Sequence, residues 1–168
     1  MKKWLVALFS LALVFGLAAC GNGDNKAEQE QKKEDVSADS MSFYMDLVAK
    51  INDNDADYDA YQAAIGSDTP PTGAELTTLA TAASASADKV SQVLADVKVP
   101  NLGNTTPLFK NAVTDLSEAY KAEANGLKAS PIDTKSADEA MQKASDELGK
   151  ALEEAGLAPS NIMNDTAA

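Results

Sequence analysis

The sequence has no histidine and no arginine, and its 168 residues include one cysteine and one tryptophan. All fourteen basic side chains are lysine, set against 26 carboxylates, for a formal charge of −12. Without arginine there is no bidentate fork for phosphate or carboxylate, and an acidic chain of this kind repels nucleic acid. Without histidine the usual general base and the commonest metal ligand are missing. A Ser-His or Cys-His nucleophile, a Cys/His zinc site and a c-type haem attachment cannot be assembled. Lysine, carboxylate, hydroxyl and amide chemistry remain, and no cofactor is expected.

The first twenty residues are the most specific part of the chain. Lys2 and Lys3 precede an apolar run from Trp4 to Gly16 interrupted only by Ser10, and Leu17-Ala18-Ala19-Cys20-Gly21 follows. This has the layout of a secretory signal. A membrane-spanning helix is the competing reading, but Trp4 to Ala19 is 16 residues where a span needs about 20. The tetrad Leu17-Ala18-Ala19-Cys20 resembles the lipobox of bacterial lipoprotein precursors and matches it at every position. The resemblance covers only this leader. It implies cleavage between Ala19 and Cys20, a diacylglycerol thioether on the Cys20 sulfur, and in many members acylation of the new α-amine, so the partner it implies is the membrane. Gly21 lacks the acidic character that diderm bacteria use at that position for inner-membrane retention, a lean towards a monoderm plasma membrane that leaves the host type open. Two or three acyl chains make a stable anchor where one is marginal. With Cys20 consumed, the exported part has no disulfide and depends on packing.

The segments implied are a signal peptide over 1–19, a lipid-anchored tether over 20–36, a helical domain over 37–157 and a disordered tail over 158–168. From Cys20 onward there are 149 residues, with 12 lysines against 26 carboxylates, a side-chain charge of −14. Such a body stands off an anionic leaflet and leaves attachment to the lipid. Its 27 alanines favour helix and close helix approach. Its 32 larger apolar residues suffice for one small core. Residues 21–36 carry one large apolar residue and both charge signs. This composition reads as a disordered tether, with a frayed extension of the first helix as the alternative because Glu28 to Lys33 holds good helix formers.

Four segments then show helical apolar periodicity. The first, from Ser37 to Ile65, spaces Tyr44, Ile51, Tyr58 and Ile65 by seven, with Val48 on the same stripe and Leu47 and Tyr61 beside it. That phase favours one long helix over two short ones. Thr72 and Glu75 form a capping-box pattern opening the second, whose stripe runs Leu76, Leu79, Ala83, Ala87, Val90, Leu94 and Val97. Thr106-Pro107 starts the third, striped by Phe109, Val113, Leu116, Tyr120, Ala124 and Leu127, with Asn125-Gly126 at or one turn before its end. Asp133 or Thr134 starts the fourth, where Ala137, Met141, Ala144, Leu148, Leu152 and Ala155 face inward and Gly156 stops the helix. The expected fold is all-α, an antiparallel four-helix bundle, with a three-helix bundle and a loosely packed first helix as runner-up.

Candidate sites are few. Asp53, Asp55, Asp57 and Asp59 alternate as calcium-loop ligands do, but Tyr58 stands where the turn needs glycine and Ala64 where a bidentate glutamate belongs. The competing reading is a self-repelling helix face, with Asp55 on the apolar stripe marking a seam or kink. Tyr44, Tyr58, Tyr61 and Tyr120 read as core before they read as a binding groove. Phe43 lies off the stripe and, if exposed, is a contact for a partner. Asp138 with Glu139, and Glu153 with Glu154, are adjacent in sequence and do not face each other on a helix. The sequons at Asn104 and Asn164 are irrelevant to a bacterial lipoprotein. No catalytic, cofactor-binding or metal-binding residue is assigned. The expected function is a non-enzymatic helical module, lipid-anchored at Cys20 on the extracytoplasmic face of the cell membrane, that binds a protein or envelope component. The alternative is a small-ligand or divalent-cation-binding lipoprotein using the Asp53 to Asp59 segment.

Overall fold

A computed structural model describes the backbone of residues 24–167 and the side chains of residues 36–167. The expected signal peptide, the expected cleavage between Ala19 and Cys20 and the expected lipid attachment at Cys20 all lie outside the described residues. The elements are α1 (Asp24–Asn52), α2 (Ala56–Ile65), α3 (Gly73–Ala95), a 3-10 turn (Gly103–Thr105), α4 (Thr106–Gly126), α5 (Lys135–Glu154) and α6 (Ile162–Thr166). Among the described residues there is no strand. None of their helices is long and apolar enough to cross a membrane.

The all-α bundle has four legs, the first of them broken. α4 packs between α3 and α5, and the α1–α2 leg closes the bundle. Antiparallel register between α3 and α4 is fixed by two buried hydrogen bonds, Ser84 Oγ to the Ala124 carbonyl at 2.7 Å and Ser117 Oγ to the Ser91 carbonyl at 2.8 Å. Small residues make this possible, because Ala80, Ala83, Ser84 and Ala87 let the backbones approach. The core runs through Leu47 and Ile51 of α1, Val90 and Leu94 of α3, Phe109 and Leu116 of α4, and Leu148 and Leu152 of α5, each at most 1 % exposed. Burial of such side chains, at about 25 cal/mol per Å² of apolar surface, is what holds a disulfide-free bundle together.

The α4 and α5 stripes are buried throughout as the periodicity predicts. The end of α5 is a Schellman turn. Gly156, at φ 83°, donates to the Glu153 carbonyl at 2.9 Å, and Leu157 donates to Leu152 at 3.0 Å. Gly126 ends α4 for a different reason. A Cβ there would sit 2.3 Å from the Asp133 carbonyl oxygen, so only glycine lets the α4–α5 loop pass. Thr72 is the N-cap residue of α3, but its side chain makes no capping hydrogen bond.

Two expectations are corrected. First, the single helix from Ser37 to Ile65 is two helices, parted at Asp53 to Asp55, where polar Asn and Asp residues compete locally with the helical backbone. Asn54 Nδ2 donates to the Lys50 carbonyl at 2.7 Å, and Ser86 Oγ of α3 donates to the Asn54 carbonyl at 2.7 Å, so the break is held from both sides. The interruption shifts the apolar phase: α2 buries Tyr61, while Ile65 is exposed. The first helix starts at Asp24, so the frayed extension of α1 over residues 24–36 stands beside the tether reading. No glycine or proline stands between Asp24 and Asn52 to stop it. Second, the expected disordered tail contains α6. Asn161 caps it, accepting from Asn164 N at 3.2 Å, and Ile162 and Thr166 are buried. Phe43, a partner contact only if exposed, is core, 9 % exposed, with its ring edge-on to Phe109 at 5.6 Å.

Candidate functional site

The break between α1 and α2 sets the chemistry of one end of the bundle. It places Asp55 inside, 2 % exposed, where burial and the neighbouring Asp59 push its carboxyl up to about 6. Asp53 and Asp57 are exposed. The aspartate run is thus dispersed rather than convergent, and among the described residues no group of three or more carboxylates is placed to hold a metal ion.

A different acidic group, unmarked in the sequence reading, lies nearby. Glu123 sits on the core face of α4 between Tyr120 and Ala124 and is wholly buried, and neither carboxylate oxygen has a hydrogen-bond partner that meets normal geometry. The polar groups facing it are Asp138 of α5 and Tyr58 of α2. Burial, reinforced by Asp138, pushes its carboxyl up to about 8. Tyr58 and Tyr120 meet edge to face at 5.9 Å, and Gln62 Nε2 donates to the Tyr58 hydroxyl at 2.8 Å. Burial raises the phenols of Tyr58, Tyr61 and Tyr120 well above their ordinary value, with the surrounding carboxylates adding to it.

Between α2, α4, α5 and α6 lies a partly open cavity of about 220 Å³, which Glu123 and Tyr61 do not line. Tyr58, Asp59 and Gln62 line it from α2, Tyr120 from α4 and Asp138 from α5. Met163 and Thr166 of α6 close another side. α6 is positioned by Tyr44, whose hydroxyl donates to the Asp165 carboxylate at 2.6 Å, and Ser160 also bonds to that carboxylate. These two hydroxyls hold the Asp165 carboxyl below its usual range. A more open groove of about 480 Å³ runs between α1 and α3, lined by Leu47, Val93 and Val97 with Lys50 and Lys98 at its edge.

Of the sequence-derived candidates, Tyr58, Tyr120 and Asp59 come together at the cavity and Asp55 lies beside it. Tyr44 acts at a distance, through α6. The adjacent pair Asp138 and Glu139 forms no site of its own, but Asp138 meets Glu123 across two helices. The available signal was position: the Phe109 to Leu127 stripe places residue 123 next to two of its members, so a glutamate there is a charged residue on a core face. Comparison of the chain with protein-family models, with curated proteins and with solved structures gives no match.

Proposed function

We propose that this chain is a lipoprotein held by lipid on Cys20 at the extracytoplasmic face of a bacterial cell membrane, and that its bundle is a non-enzymatic binding module for a protein or envelope component. The observation that carries the reading is the uninterrupted Leu17-Ala18-Ala19-Cys20 behind a 16-residue apolar leader with Lys2 and Lys3 ahead of it. The bundle offers a contact surface in place of Phe43. Met41 and Met45, one helical turn apart on α1, are 37 % and 64 % exposed, and flexible, polarisable methionine side chains suit adaptable contacts. Crosslinking followed by mass spectrometry on native membranes tests the binding role. A partner whose crosslinks fall on α1 and disappear in Met41→Ser/Met45→Ser supports it, and crosslinks indifferent to those changes contradict it.

A second reading, a small-ligand-binding lipoprotein, is favoured by one observation, the cavity walled by Tyr58, Tyr120 and Asp138. It replaces the aspartate run as the place where a ligand would sit.

A further inference from the structure

We propose that the cavity between α2, α4, α5 and α6 is a binding site for a small organic ammonium ion, held by the Tyr58 and Tyr120 rings and the carboxylates of Asp59 and Asp138. This rests on the second reading above and names its ligand class.

Size comes first. About 220 Å³ is below the ~300–1,000 Å³ typical of pockets for drug-sized ligands, so the occupant is a compact amine. Charge comes next. Asp59 and Asp138 approach from different helices and no lysine lines the cavity, which repels an anion. The remaining walls are apolar, contributed by Leu116, Met141, Ile162 and Met163. A hard divalent ion needs roughly six or more oxygen ligands, and these walls offer few. An organic cation matches both kinds of wall, its alkyl groups against the apolar side chains and its charge against carboxylates and tyrosine faces.

Glu123 does not line the cavity but lies next to two residues that do. A carboxyl buried without a hydrogen-bond partner costs stability unless something compensates it. This one lies behind the wall formed by Tyr58 and Asp138, both of which it faces and both of which line the cavity. With its carboxyl raised to about 8, Glu123 keeps its proton near neutral pH, and a cation bound in the cavity would favour its ionised form.

The test is calorimetric titration of the full chain in a non-ionic detergent with choline, tetramethylammonium and phenethylammonium. The comparison ligands are 3,3-dimethyl-1-butanol, the neutral isostere of choline, and calcium chloride. At least one ammonium ion is expected to bind saturably, with choline at least about tenfold tighter than the neutral alcohol, a difference of ~1.4 kcal/mol. Asp138→Asn, at an exposed position that leaves the core intact, is expected to weaken the ammonium about fivefold to tenfold with an unchanged circular dichroism spectrum. Equal binding of the neutral alcohol overturns the ammonium assignment and keeps the small-ligand reading. Absence of binding by every organic probe up to about 10 mM, where even millimolar affinity registers, overturns both. Calcium binding that Asp138→Asn abolishes, with no ammonium binding, replaces the organic cation with a metal.

Discussion

The Tyr44 hydroxyl donates to the Asp165 carboxylate at 2.6 Å across 121 residues of sequence, and this bond seats the short C-terminal helix against the start of the bundle. α6 contacts both α1 and α5, and its Met163 and Thr166 wall the cavity. α6 therefore belongs to the site. Tyr44→Phe removes a charge-assisted hydrogen bond, which is expected to cost about 1.5–3 kcal/mol. Chemical denaturation checks the cost. Hydrogen exchange should show faster exchange at residues 162–166 than at the α4 amides.

Leu116→Ala truncates a side chain with no solvent exposure and is expected to cost about 2–5 kcal/mol, a large part of the ~5–15 kcal/mol of a typical domain. Ile65→Ala serves as its partner experiment. The seven-residue phase places Ile65 in the core, whereas the break at Asp53 to Asp55 leaves it 37 % exposed. Its truncation should change stability by no more than about 0.5 kcal/mol. Equal losses at the two positions would mean that the first leg is a continuous helix after all.

The contrast between those two residues shows what was legible in the sequence. Stripes on α3, α4 and α5 were readable because each is an uninterrupted helix whose period survives from cap to stop, as the buried series from Phe109 to Leu127 illustrates. The first leg was misread because a seven-residue spacing can persist across a break that turns the second half. The poor helix formers Asn52 to Asp55, with Asp55 on the stripe, were the signs of it. α6 was invisible, since a five-residue helix shows less than two turns of periodicity. Glu123 lay within a stripe that was correctly traced. Its neighbours Tyr58 and Asp138 come from helices whose relative placement periodicity does not specify.

Lowering the pH from about 8 to about 4.5 should stabilise the protein through Glu123. Glu123, faced by Asp138, Tyr58 and Tyr61, has its carboxyl raised from an ordinary 4.5 to about 8. Asp55, faced by Asp59 and Tyr120, is raised from 3.8 to about 6. A raised carboxyl keeps its proton in the folded state while the unfolded chain releases it. Stability from Glu123 is therefore complete below about 4.5 and is lost as pH rises towards about 8, at up to ~1.4 kcal/mol per pH unit. Glu123→Gln should flatten this slope, raising the melting temperature at pH 8 and changing it little at pH 4.5. Thermal melts across that range decide the point, and an unchanged slope in the variant would contradict the assignment.

Gly126→Ala should be costly although it lies at a helix end. Its Cβ would meet the Asp133 carbonyl oxygen at 2.3 Å, so the α4–α5 connection must move. A loss of about 1–3 kcal/mol is expected, the usual cost of overpacking. Loosened exchange at Leu127, which packs with Tyr61 and Ala83, would locate the damage.

Anchoring through Cys20 is the central claim, and intact mass spectrometry of the protein extracted from its own membranes tests it most directly. The account predicts a chain beginning at Cys20, heavier than the polypeptide by a diacylglycerol group, and in some hosts by a further acyl chain, with no such species from Cys20→Ala. A mature chain with a free Cys20 thiol, or a Cys20→Ala chain still processed and retained at the membrane, would contradict it.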